Sequence, residues 1–379
     1  MDGSLPAALP PPPLQESSIP EVSIIVPARN EEASLAACLE SLTTQTCVAF
    51  EIIVVDDGST DRTCEIARSF TGVRVIAAPP LPEDLTAKSC TGKNNAVIAG
   101  GRDARADWLL FTDADTIHLA GSLARALAEA RKERADLLSY SPEQIVVTFA
   151  ERAVMPVIFA ELAARYPLHK VREQNSGIVA ANGQYVLVRR AAYDAVGGHA
   201  AVAKEILEDV ALARLFRNAG LRVYFRYGGD AVRTRMYRNW AQLREGWTKN
   251  LALLFPQSEF LASQSLFWWF AAWVALGIAA SGAAGWHFAW VAFAALWLLV
   301  YRRIRVTHFS TANNLLAIAV GLPMFAYLLR RSKRAYTNGE VSWKDRSYGV
   351  GAPGKSATGE PQTVKPIAPI ENRKLRVEH

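Results

Sequence analysis

The stretch "LLFTDADTIH", residues 109–118, decides how this chain is read. An apolar run fit for a buried strand stops at Asp113 and Asp115, two carboxylates flanking the small Ala114. Working outward, "EVSIIVP" (21–27), "EIIVVDD" (51–57), "VRVIAA" (73–78) and "DWLLFTD" (107–113) read as short strands. Residues 32–42, 61–70 and 93–104 read as helices between them. The alternation predicts an α/β fold, a mostly parallel sheet with helices on both faces. Ligands of such sheets bind beyond the carboxyl ends of the strands, which is where the paired acids fall.

The second strand ends in "VVDDGSTD". Gly58 suits a turn, and Ser59, Thr60 and Asp61 suit helix capping. Capping does not account for Asp56 and Asp57, whose carboxylates can accept hydrogen bonds from a base N–H or a ribose hydroxyl. The first turn, "PARNEEAS", has no G-x-G-x-x-G and no glycine at all, which argues against nicotinamide, flavin and nucleotidyl-transfer chemistry. Asp113 and Asp115 repel one another unless a cation compensates them. Mg²⁺ or Mn²⁺, with oxygen ligands and retained waters, suits them, although a solvated loop explains an isolated D-x-D equally.

The 379-residue chain carries a net charge of +6, and its apolar residues are unevenly spread. Residues 265–301 contain no Asp, Glu, Lys or Arg. That stretch is too long for one span of roughly 20 residues and breaks at "SGAAG" into two, about 265–282 and 285–301. A third run, 313–329, contains Pro323 and is read as spanning, kinking or re-entering, with incomplete crossing favoured. The basic "YRRIR" (301–305) puts the large domain and this loop on the cytoplasmic side of a bacterial-type inner membrane. The chain divides into a Pro-rich leader (1–20), a globular domain (21–255), a multi-pass membrane region (256–330) and a basic, largely disordered tail (331–379). The basic residues gather near the membrane segments, so the expected partner is lipid and not nucleic acid. Cys38, Cys47, Cys64 and Cys90 show no CxxC pairing and read as reduced thiols. His118 and His199 lack partners at metal-ligand spacing and are set aside.

In order, "PARNEEASLAACLESL", "VVDDGSTD", "TGKNNAVIAGG", "LLFTDADT", "VGGH" and "LEDVALARLFRNAG" resemble the inverting family 2 glycosyltransferases with the GT-A nucleotide-sugar fold. "ERAVMPVIFAELAARYP" (151–167) and the membrane region resemble, more narrowly, hopanoid-associated, carotenoid and ceramide-type lipid glycosyltransferases. The resemblance implies that Asp56 and Asp57 hold the base and ribose of a UDP- or GDP-sugar, beside the loop of Pro27, Ala28, Arg29 and Glu31. It implies a nucleotide-side role for Lys93 and a metal-diphosphate role for Asp113, Ala114 and Asp115, with Asp113 and Asp115 as the ligands of Mg²⁺ or Mn²⁺. Asp209, with Glu208 beside it, matches the general base; the alternative is a pair of acids favoured at a helix start. Asn182 and Gly183 read as a turn on the acceptor side, before a strand within 176–190. Arg244 and Trp247 depart from the family's Q-x-x-R-W spacing; with Lys249 they fit either diphosphate and acceptor contact or an amphipathic helix on the membrane. The expectation is single sugar transfer to a membrane lipid. A processive polysaccharide synthase and a non-catalytic nucleotide-sugar or lipid binder are the rivals.

Overall fold

The computed structural model describes residues 19–80, 90–282, 286–343 and 346–348. The chain opens with β1 (Val22–Ala28), α1 (Leu35–Thr43), β2 (Phe50–Asp56), α2 (Thr63–Ser69), β3 (Val73–Ala77), α3 (Gly92–Asp103) and β4 (Trp108–Phe111). There follow β5 (Thr116–His118), α4 (Ser122–Lys132), β6 (Leu137–Ser141), β7 (Glu143–Gln144), α5 (Phe149–Arg165), α6 (Leu168–Arg172), β8 (Val186–Arg189) and α7 (Arg190–Ala195). Then come α8 (Glu208–Asn218), β9 (Val223–Tyr227), β10 (Val232–Thr234), α9 (Trp240–Leu254), α10 (Ser258–Ala280) and α11 (Trp286–Ile304). Last are α12 (Thr311–Leu316), a π-helical turn (Ala317–Gly321), α13 (Leu322–Asn338), and a hairpin of β11 (Val341–Trp343) and β12 (Arg346–Tyr348).

Seven strands form one sheet in the order β3-β2-β1-β4-β8-β6-β9. The side chains explain its two covered faces, because successive residues on a strand point to opposite sides. Ile24 and Val26 pack with α1 and α4 through Leu35, Leu39 and Leu127. Ile25, Ile53 and Val55 face the other way, against Val97 of α3 and Leu212 and Phe216 of α8. The architecture is thus a Rossmann-like mixed α/β sheet. It differs from a parallel sheet at β8, which runs antiparallel to both β4 and β6. After β3 the chain returns to place β4 beside β1, so the strand order reverses between them, and the crevice this opens lies at the ends bearing Ala28 and Thr112.

Three helices are long and apolar enough to cross a membrane: Ser258–Ala280, Trp286–Ile304 and Thr311–Asn338. The first two leave most of their surface uncovered, with 22% and 6% of their most apolar window buried, against 56% for the third. The third is continuous: the π turn directly precedes Pro323, and the Ala319 carbonyl, four residues before the proline that has no N–H to offer, accepts a hydrogen bond from Trp269 Nε1 (2.8 Å). It packs on α5, α9 and α10, through Phe325, Leu328 and Leu329 among others. α13 continues through Asn338, into the stretch expected to be a disordered tail. The leader lies outside the described residues apart from 19 and 20, as does everything beyond 348.

Gly321 seats this third helix on the globular domain. A Cβ there would stand 2.0 Å from the Ala153 carbonyl oxygen of α5, a backbone atom that cannot rotate aside. Gly321→Ala gains about 1 kcal/mol of helix propensity. It loses roughly 1–3 kcal/mol to overpacking, and the backbone clash puts the loss toward the upper end. A lowered thermal midpoint of the purified protein is the expected outcome.

Candidate active site

The loop after β1 and the turn after β2 are laced together. Asn30 N–H donates to Ser59 Oγ (3.1 Å), Glu31 N–H to Thr63 Oγ1 (2.7 Å) and Glu32 N–H to Asp61 Oδ2 (3.0 Å). Gly58, at φ +71°, makes the turn that only glycine adopts without strain. Arg29 Nη1 donates to the Asp57 carbonyl (2.8 Å), and Asp57 is buried at the cavity wall. Asp56 has another use: its Oδ1 accepts the Ser59 N–H (3.2 Å), and it does not line the cavity.

The centre of the site is Lys93, the second residue of α3. Its Nζ lies 2.8 Å from Asp113 Oδ1 and 2.9 Å from Glu208 Oε1. The helix start is fixed by Thr91, whose side chain accepts the Asn94 N–H. Asn94 Nδ2 in turn donates to the carbonyls of Ala203 (2.9 Å) and Glu205 (3.1 Å), just before α8. Asp209, one residue into α8, accepts the Gly183 N–H at Oδ2 (2.7 Å) and the Val210 N–H at Oδ1 (2.8 Å). A Cβ at Gly183 would lie 3.3 Å from Lys93 Nζ and 3.5 Å from Asp209 Oδ2, tight against the lysine tip and in ordinary contact with the aspartate.

Burial acts on each ionisable group and the neighbours decide the outcome. Burial alone would depress the Lys93 ammonium, but Asp113 and Glu208 hold it well above the usual lysine value. Burial would raise the Glu208 carboxyl; Lys93 and Lys249 outweigh that and hold it low. Asp209 has no such cation in contact. Burial first, and the Glu208 charge second, push it up to about 6. Lys249 is lowered, by burial against the opposing pull of Glu208.

These groups share one cavity of about 770 Å³. Its polar end gathers Pro27, Ala28, Arg29, Glu31 and Asp57 with Lys93, Asp113, Ala114 and Asp115. Asn182, Gly183, Glu208 and Asp209 complete that end. Trp247 reaches the wall only in part. It is 3% exposed, packed in the core between α5 and α9, and its Nε1 points at Met155 Sδ (3.3 Å). Arg244 is not on the cavity wall, whereas Lys249 is. α9 does not lie free on a surface, because Leu243, Trp247 and Leu251 bury it against its neighbours. His118 bonds Thr112 Oγ1 and His199 bonds the Tyr193 hydroxyl, both buried, so both are core residues. All four cysteines are free.

Sequence reading missed three contributors. Arg235 and Arg238 line the cavity after β10, and Arg238 Nη2 bonds the Ala33 carbonyl (2.6 Å), closing the first loop. His308, from the loop joining the membrane-length helices α11 and α12, stacks on Tyr227 with ring centroids 3.5 Å apart. The alternating arginines of "VRTRMYR" (232–238) were the only available signal for the first two.

Among the described residues, no group of three or more His, Cys, Asp or Glu side chains is arranged to hold a metal. Asp113 and Asp115 supply carboxylate oxygens from one short loop to one cavity. That pair fits a hard ion completing its shell with water and phosphate oxygens, and does not fit an all-protein cage.

The fold is an open α/β sheet of the class whose ligands bind beyond the carboxyl ends of the central strands, and the acids cluster at that edge. Residues 23–197 match the family described as Glycosyl transferase family 2. The chain is similar to the 4,4'-diaponeurosporenoate glycosyltransferase of Staphylococcus aureus (strain USA300), 31% identical over 239 residues, 61% of this chain and 60% of that protein. The same-named protein of Staphylococcus haemolyticus (strain JCSC1435) is 32% identical over 243 residues, 61% of each chain. That of S. aureus (strain MRSA252) is 28% identical over 348 residues, 87% of this chain and 88% of that protein. The first of these alignments therefore spans about three fifths of the relative's length. Among solved structures, the mannosyltransferase PcManGT from Pyrobaculum calidifontis, in complex with GDP-Man and Mn²⁺, aligns with a TM-score of 0.44 at 14% identity. That alignment covers 84% of this chain and 87% of that one.

Asp209 links this site to stability. Its raised folded-state pKa means that the neutral carboxyl favours the fold at low pH, and this contribution is lost as pH rises through about 6. Asp209→Asn removes this pH dependence but gives up one of the two backbone N–H bonds, so its thermal midpoint relative to the wild type should be higher at pH 7.5 than at pH 5. An equal difference at the two pH values would refute the assignment.

Proposed function

We propose that this chain is a membrane-bound inverting glycosyltransferase of the GT-A type, moving one sugar from a UDP- or GDP-sugar to a lipid acceptor. The observation that carries the reading is that one cavity joins the acid and lysine cluster to an apolar wall. That wall is built from Phe159 and Leu162 of α5, Leu254 of α9 and Phe309 beside the membrane-length helices. A soluble acceptor needs no such wall. The relatives' name, a glycosyltransferase for a carotenoid-type acid, agrees with a lipid acceptor. The basic loop at 301–305 favours a cytoplasmic catalytic domain.

In this reading the nucleoside lies between the first loop and Asp57, and the diphosphate lies toward Asp113 and Asp115. A divalent cation, Mg²⁺ or Mn²⁺, held by these two carboxylates would neutralise charge on the departing diphosphate. Arg235 and Lys249 add fixed positive charge on the same wall. Asp209 takes the proton of the acceptor hydroxyl as its oxygen attacks the anomeric carbon from the face opposite the leaving group. The two backbone N–H bonds to Asp209 fix both its oxygens while leaving lone pairs for that proton. Glu208, ion-paired with Lys93, positions that lysine, and burial together with the Glu208 charge raises Asp209 toward the working pH, where a base is most effective.

The test is Asp209→Asn in membranes offered labelled UDP- and GDP-sugars. Turnover should fall about 10²- to 10⁴-fold, as expected for loss of a general base. Binding of the donor nucleotide should persist. In the wild type, kcat/KM should rise with pH through about 6 and level off above it, following ionisation of Asp209. Substantial turnover in the variant removes the base from the scheme.

The acceptor wall is tested separately. Leu162→Arg should raise the KM for a lipid acceptor several-fold while the donor KM stays put, since Leu162 lies on the apolar side of the cavity. An unchanged acceptor KM would place the lipid elsewhere.

A further inference from the structure

A second cleft, about 650 Å³, lies between α9, α10 and α13 and shares Glu245 with the wall of the catalytic cavity. Its floor is apolar, formed by Leu266, Pro323 and Ala326, with Tyr327 at the edge. Tyr327 and Trp240 stack there with ring centroids 6.2 Å apart, an aromatic pair of the kind found at the membrane–water boundary. One turn further along α13 the lining changes to Arg330, Arg331 and Arg334. Apolar floor, aromatic edge and guanidinium rim follow one another along a helix long enough to cross a membrane, which is the order hydrocarbon, interface, headgroup.

The polar groups narrow the ligand. Arg330 is engaged, with Nε 3.7 Å from Glu259 and Nη2 bonded to Ser263. Arg331 and Arg334 are exposed and make no ion pair among the described residues. Guanidinium groups bind phosphate oxygens in pairs. The same cleft carries two carboxylates, Glu245 and Glu340, which repel a bare anion but accept hydrogen bonds from donors placed beyond a phosphate. A phosphodiester followed by hydroxyl groups and attached to acyl chains satisfies arginines, carboxylates and floor together.

We infer that this cleft binds a membrane phospholipid through a phosphodiester headgroup bearing hydrogen-bond donors. The same helix, α13, is tied directly to the catalytic domain. Ser332 of α13 bridges α9, its Oγ donating to the Thr248 carbonyl (2.6 Å) and accepting the Ala252 N–H (2.9 Å). The Tyr336 hydroxyl donates to the Lys249 carbonyl (2.6 Å), and Glu245 lies on the walls of both cavities.

The experiment uses the full chain in neutral detergent and follows its thermal midpoint against added phosphatidylglycerol, phosphatidylcholine or inorganic phosphate. Phosphatidylglycerol should raise the midpoint saturably, and the other two should not. Arg331→Gln/Arg334→Gln should weaken half-saturation at least about tenfold, the loss of roughly one charge-assisted contact. The lipid-free midpoint should stay unchanged. An equal shift with phosphatidylcholine means unselective detergent exchange and overturns the proposal; an equal shift with phosphate means a free-anion site and does so too. As a second reading, a photoactivatable phosphatidylglycerol should label peptides within 323–340. Labelling confined to α11 would overturn the assignment even if the double variant fails to fold.

Discussion

One ammonium group holds the site together. Lys93 lies between Asp113, at the end of a central strand, and Glu208, at the start of α8. Without it, Asp113 and Glu208 would approach one another across the cavity with no ammonium group from α3 between them. Such a pair adds little net stability, because desolvation offsets most of the attraction. Its consequence is positional. α3 and α8 meet at a fixed distance, and the Asn94 amide bonds to the backbone before α8 repeat the same constraint without charge.

The constraint also separates the two neighbouring acids of α8. Glu208 contacts a cation and is held ionised; Asp209 contacts only backbone N–H groups and is raised. Adjacent residues of the same chemical type thus acquire different proton affinities from their surroundings alone. Gly183 takes part through its backbone, its N–H being one of the two that Asp209 accepts, beside the point where Lys93, Glu208 and Asp209 converge.

Continuous apolar runs made the first four strands legible, because both faces of the sheet are covered and Ile24/Val26 and Ile25 serve different layers. The acids after those strands were legible for the same reason: polar residues directly after a buried run stand out. β5, β7 and β10 were not, being two or three residues long and defined by partners distant in sequence. Asp56 and Asp57 are equivalent as letters, and only the Gly58 turn decides that the first caps and the second lines the cavity. The Trp247 spacing suggested contact with substrate, yet its ring fills the junction between α5 and α9. An aromatic residue on an amphipathic helix is read correctly only once the partner helix is known.

That junction bears on how a lipid could meet a polar donor. α9 has the catalytic cavity on one side and α13 on the other, and two of its carbonyls, from Thr248 and Lys249, accept hydrogen bonds from α13 side chains. Gly321 brings the preceding turn into backbone contact with α5, whose Phe159 and Leu162 face the cavity. The helix that could enter the bilayer is therefore one layer behind the cavity wall on both sides. Under the proposed function, a rigid join of this kind fixes the height of the reacting groups above the membrane, so that an acceptor rises only far enough for its polar end to reach Asp209. A flexible linker would leave that height to chance and lose the entropic advantage of holding both reactants in place.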